Sequence, residues 1–110
     1  MKPWVGIALF SLKIYGAGSL KDRRQVVRSL LERLKKHFNA SAADLGPEGS
    51  WNAADMAVTC VGSSYQEMES RIDQVIAFVR NNEEDGEFEI LETCREVFSY
   101  GYFQDRTSQP

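Results

Sequence analysis

Residues 4–15, WVGIALFSLKIY, are apolar on both of their alternating faces. Val5, Ile7 and Leu9 point one way, and Ala8, Phe10, Leu12 and Ile14 point the other. A strand of this kind belongs in the middle of a sheet, with partners on both edges and cover over its faces. The rest of the chain has to be arranged around a central strand that comes first in sequence. With 110 residues, one domain around one core is the simplest solution.

The turn Gly16-Ala17-Gly18 breaks the strand, and Ser19 is placed to cap a helix, with Asp22 three residues on as its box partner. The spacing predicts a first helix over Leu20–His37, with Leu20, Val27, Leu31, Leu34 and Phe38 as its apolar stripe and Asn39 ending it. Arg23 lies beside that stripe, so its stem is expected to pack while its head snorkels or pairs. Residues 40–45 read as a weak strand, and Gly46–Ser50 as a loop. Asp55–Val61 alternates Met56, Val58 and Cys60 against Ala57, Thr59 and Val61, a second well-covered strand. Ser64 and Glu67 form a capping box for a second helix, about Tyr65–Asn81, burying Tyr65, Met68, Ile72, Val75, Ile76 and Val79. After a polar turn, Glu87–Ser99 reads as the last strand, with Phe88, Ile90, Cys94 and Phe98 on one face.

The order strand–helix–strand–strand–helix–strand, with two right-handed crossovers, predicts an α/β (α+β) ferredoxin-like βαββαβ plait. It would have a four-stranded antiparallel sheet and both helices on one face. The expected domain covers residues 1–99, with 100–110 as a flexible C-terminal tail. Tyr100, Tyr102 and Phe103 are the tail's candidates for docking. The plait serves many tasks, so function has to come from particular residues.

The formal charge of −3 conceals an uneven distribution. Residues 21–36 carry seven Lys or Arg against two acidic residues, a net of +5; residues 39–110 carry four against fourteen, a net of −10. At about 100° per residue, Lys21, Arg24, Arg28 and Lys35 fall on one flank of the first helix, beside the stripe. Such a flank can contact a few phosphates of a structured RNA without reading sequence. The bland alternative is a solvated face balanced by the acidic second helix, within the fold or across a dimer.

Ser19-Leu20-Lys21-x-x-Arg24, Ser29-Leu30-x-x-Arg33-Leu34 and Phe38-Asn39-x-Ser41-x-Ala43 resemble the YlxP-like family of small bacterial proteins. Trp51, before the third strand, and Arg95-Glu96, near the end, fit the same pattern, so the resemblance covers roughly residues 5–98. It implies a ferredoxin-like fold and a gene often found beside genes of ribosome maturation and translation initiation. It implies no established activity. Gly62-Ser63-Ser64 departs from the family's Asn-Asp turn, and the loop before Trp51 is rich in Pro and Gly rather than acidic.

The leading expectation is a cytoplasmic, non-catalytic module that docks on ribosomal RNA or a ribosome-associated protein through Lys21, Arg24, Arg28 and Lys35. Ser19 and the amides of the glycine-rich turn would hold one phosphate. Trp51 is either a stacking or interface anchor or a lid on the core. A homodimer through the uncovered sheet face or an edge strand is the second expectation. RRM-like use of that face is disfavoured, because Asp55–Val61 contains no aromatic residue. A small phosphohydrolase built on the glycine-rich turn is the third, although the turn matches neither a Walker A loop nor an acylphosphatase phosphate loop. No metal or small-molecule cofactor is expected, because His37 is the only histidine and no metal-ligand spacing occurs. Cys60 and Cys94 read as small buried residues in a reducing compartment, and Arg95-Glu96 as a cross-strand ion pair. The apolar run Trp4–Leu12 is short for a signal peptide and is better used as the first strand, and no run reaches the length of a membrane span.

Overall fold

The computed structural model describes residues 2–47 and 49–101. Met1, Glu48 and residues 102–110, where most of the expected flexible tail falls, lie outside the described residues. The chain runs β1 (Trp4–Ile14), α1 (Leu20–His37), β2 (Ser41–Gly46), β3 (Ala53–Gly62), α2 (Tyr65–Glu83) and β4 (Phe88–Ser99). One antiparallel sheet has the order β2-β3-β1-β4, and both helices cover the same face. This is the ferredoxin-like plait the element order predicts. β1 is central, paired with β3 on one edge and β4 on the other.

Both helices begin where their caps place them. The Ser19 hydroxyl accepts from the Asp22 N–H at 3.2 Å, and the Ser64 hydroxyl from the Glu67 N–H at 3.1 Å. The core lies between the helices and one side of the sheet, with Phe10, Leu12, Met56 and Val58 against Leu30, Leu34, Met68 and Ile72, all fully buried. On β1 the helix-facing set is Gly6, Ala8, Phe10, Leu12 and Ile14, as the alternation requires.

Several sequence expectations change. The buried set of α1 is Arg23, Val27, Leu30 and Leu34, so the helix is rolled about 40° from the expected stripe. Leu20 is exposed, Leu31 half-buried, and the helix ends with Phe38 as its cap, one residue before Asn39. In α2, Tyr65 is exposed, its ring edge-on to Trp4 at 5.5 Å between centroids. In β4, the pairing with β1 slips by one residue between Ser11 and Leu12, which leaves Leu91 unpaired. Beyond that bulge the side-chain phase inverts: Thr93, Arg95 and Val97 face the helices, while Cys94, Glu96 and Phe98 face away. Cys94 is therefore exposed, whereas Cys60 is buried as expected, and both thiols are free. Burial pushes the Cys60 thiol pKa up, which keeps it inert. Arg95 consequently pairs with Glu69 and Asp73 of α2 rather than across the sheet.

Gly6 lets α2 pack close against β1. A Cβ built there would lie 2.6 Å from Cγ1 of the fully buried Ile72. Gly6→Ala is expected to lower stability by about 1–3 kcal/mol through overpacking, seen as a lower urea midpoint with an unchanged m-value.

Candidate functional site

The site is built on the junction of α1 with the β2 edge, where one buried arginine sets the geometry. Arg23, 7% exposed, turns its guanidinium toward β2 and β3. Its Nη1 and Nη2 donate to the two carboxylate oxygens of Asp44 at 2.8 and 3.1 Å. Its Nε donates to the Ala53 carbonyl at 2.7 Å, and Nη2 also donates to the Gly46 carbonyl at 3.1 Å. The Gly46 N–H donates back to Asp44 at 2.9 Å. This planar fork ties the first turn of α1 to the end of β2 and the start of β3. The hydrogen bond from Arg23 holds the Asp44 carboxyl below its ordinary pKa, and the Gly46 amide and the Arg23 charge add to that against partial burial.

Because Arg23 and Asp44 neutralise each other, the positive charge of this region comes from the neighbouring flank. Lys21, Arg24, Arg28 and Lys35 are all exposed, and none forms an ion pair among the described residues. The acidic helix does not balance them: Glu67 pairs with Arg71, and Glu69 and Asp73 pair with Arg95. Arg24, Arg28, Leu31, Glu32 and Lys35 line a depression of about 320 Å³ against Asp44, so three cations there outnumber the one carboxylate of α1. A second depression, of about 380 Å³, is lined by Leu20, Arg24, Asp44, Pro47, Gly49 and Ser50. A third, about 590 Å³, lies between Ala17 and Gly49–Asn52 and includes Trp51. The first two share Arg24 and Asp44, and the last two share Gly49 and Ser50. Together they form one shallow groove from Trp51 along α1 to Lys35.

Three sequence-selected residues, Arg24, Arg28 and Lys35, are thus brought together. Lys21 lies on the same flank one turn earlier, outside the groove lining. Trp51 stands outside the core, half-exposed at the groove's end, so it is no lid. Ser19 serves as a helix cap, and the Gly18 N–H donates to the Asp22 carboxylate at 3.1 Å. The glycine-rich turn already carries an anion of its own, which opposes a phosphate there. Sequence reading missed Asp44 and the Gly49–Ser50 loop as parts of the site. Arg23 beside the stripe was the available signal that an acidic partner had to exist.

The remaining candidate groups are occupied structurally. His37 stacks on Phe78, 4.8 Å between centroids, and Arg33 bonds Asn82 and lies 3.8 Å from Asp85. Among the described residues, no group of three or more His, Cys, Asp or Glu is placed to hold a metal ion, and no helix is long and apolar enough to cross a membrane.

A ferredoxin-like α+β domain with a basic helix lining an open groove is the class of protein these features define. The chain belongs to the family described as "Protein of unknown function (DUF503)", whose model matches residues 5–95. It is similar to "Uncharacterized protein YlxP" of Bacillus subtilis (strain 168), 33% identical over 75 residues, which cover 68% of this chain and 82% of that protein.

The depressed pKa of Asp44 fixes a pH dependence. Its folded value lies below the ordinary 3.8, so the pair stabilises the fold above that value, and the contribution is lost as pH falls through the folded value. Asp44→Asn is expected to lower stability at pH 7 by about 1–3 kcal/mol, because Arg23 loses its counter-charge. Urea denaturation at pH 7, 5 and 3 should show the gap from wild type closing toward pH 3.

Proposed function

We propose that this protein is a non-catalytic binding module that docks on RNA through the groove between α1 and the β2 edge. The resemblance noted in the sequence suggests ribosomal RNA as the natural source. The observation that carries this reading is the set of cations at Arg24, Arg28 and Lys35, none in an ion pair among the described residues and outnumbering Glu32 in the same depression, while Glu67, Glu69 and Asp73 of α2 are taken up by Arg71 and Arg95. The net positive charge left there favours an external polyanion. Counterion release supplies the affinity, and Lys21 adds to the field. Titration against purified small ribosomal subunits and bulk RNA at three salt concentrations is expected to give saturable binding. For about three phosphate contacts the log–log salt slope should be about −2 to −3. Arg24→Glu with Arg28→Glu should weaken binding at least about tenfold without changing the urea midpoint, since both side chains are solvent-facing. Unchanged binding by that variant would remove RNA from the account, and capture of an acidic protein instead would reassign the groove.

A second reading concerns the other side of the sheet, which no helix covers among the described residues. Leu9, Leu45, Val61, Cys94 and Phe98 are exposed there, and a depression of about 220 Å³ lies between Leu9, Leu45, Asp55 and Cys94. We infer that a second copy covers this face. Ten-residue strands spaced about 4.8 Å apart present roughly 500–600 Å² per copy, which reaches the lower end of specific interfaces. Acidic residues concentrate on β4, at Glu89, Glu92 and Glu96, whereas β2 offers Ser41, Ala43 and Leu45. A two-fold axis parallel to the strands lays β4 of one copy over β2 of the other and keeps the acidic edges apart. Analytical ultracentrifugation is expected to show a concentration-dependent dimer, with Leu9→Glu monomeric at the same concentrations. A wild-type monomer at about 100 μM would exclude a dimer of useful affinity.

A further inference from the structure

The groove has two chemically different ends, and the difference specifies the form of RNA it takes. One end is the exposed indole of Trp51, carried on the loop between β2 and β3 beside Gly49 and Ser50. The other is the row Arg24, Arg28 and Lys35, which spans about 16 Å of helix and has Glu32 as the one acidic residue of α1 within it. Leu20 and Leu31 provide apolar floor between the charges. An aromatic plane followed by a line of cations is the pairing used to hold unpaired strands: a base stacks on the ring and the backbone tracks the charges. Every base has a π-face, so such a site tolerates sequence. It does not tolerate a continuous duplex, whose bases are already stacked on one another.

We infer that the groove binds a single-stranded stretch of RNA, with one base stacked on Trp51 and the adjoining phosphates against Arg24, Arg28 and Lys35. This rests on the RNA reading proposed above and narrows it to unpaired segments such as loops or strand ends. Trp51 makes no ring contact among the described residues, whereas the other tryptophan, Trp4, is engaged edge-on with Tyr65. The Asp44 carboxylate on the groove wall is held by Arg23, which limits its repulsion of a phosphate.

The test uses the full chain with Trp4→Phe, so that Trp51 is the sole indole, titrated with an eight-nucleotide uridine oligomer and with a blunt-ended RNA duplex at matched phosphate concentration. Saturable quenching of Trp51 by the single strand, with weaker binding of the duplex, is expected. Trp51→Ala, followed by anisotropy of a labelled oligomer, should lose about tenfold in affinity for the single strand while keeping the salt slope. Trp51→Phe should recover most of the loss, which a merely structural role for the loop would not predict.

Binding that depends on Arg24 and Arg28 but leaves Trp51 unquenched, or equal affinity for the blunt-ended duplex, would overturn the stacking inference and leave the phosphate reading standing. Quenching that persists with Arg24→Glu and Arg28→Glu would overturn the basic flank as the docking element. No binding of either probe at low salt would overturn both.

Discussion

The position of α1 depends on the guanidinium of Arg23. A cation on the buried side of an amphipathic helix is expensive unless every donor is answered. Here two bonds go to Asp44, one to Ala53 and one to Gly46. Those partners belong to the end of β2 and the start of β3, so the fork fixes the helix against the connection between the strands as well as the sheet. The helix accordingly rolls toward Arg23 and Leu30 and away from Leu20 and Leu31. That roll leaves Leu31 half-buried, packed against the core on one side and lining the groove between Arg28 and Lys35 on the other. It also brings Pro47, Gly49 and Ser50 against Arg24. The groove is thus a consequence of how one charge was buried.

The second constraint is that two helices cover one face of a four-stranded sheet and, among the described residues, leave the other bare. The bulge at Leu91 sharpens this division. It turns Arg95 toward α2, where Glu69 and Asp73 take it up, and turns Cys94 and Phe98 to the bare side, in register with Leu9 and Val5. One extra residue in β4 thereby supplies an ion-pair anchor for α2 and enlarges the apolar area of the open face. The groove opens beside the helix layer and the apolar face lies on the opposite layer, so one surface can be used without obstructing the other.

Most of the architecture was legible because it rests on strong local signals. The two-sided apolar pattern of residues 4–15 placed β1 at the centre, and the Ser19 and Ser64 caps placed both helix starts. What failed was phase. Leucine at 20, 30 and 31 permits either of two stripes, and only the Asp44 partner, twenty-one residues away, decides between them. In β4, Phe88, Ile90, Cys94 and Phe98 look like one face because alternation cannot reveal an inserted residue; the slip is visible only in the pairing with β1. The basic flank was legible from helical spacing, but its union with Trp51 was not, since that depends on the path of a loop between two strands. The glycine-rich turn misled in the other direction. Asp22 reads as a capping partner in sequence, and it is also the carboxylate that fills the turn.

Charge follows the sheet order from side to side. The β2 edge carries α1 with Arg24, Arg28 and Lys35, while the β4 edge carries Glu89, Glu92 and Glu96 beneath an acidic α2. A polyanion is therefore repelled from one edge and drawn to the other, even though the chain as a whole is negative. For the proposed anionic ligand, that repulsion would suppress unproductive approaches and orient the molecule before contact. In the proposed dimer it would disfavour pairing β4 of one copy with β4 of another, where like charges would lie opposite each other along the strands. A single lateral separation of charge would thus act on both proposed surfaces, on the approach of an anion to the groove and on the strand order in which two open faces meet.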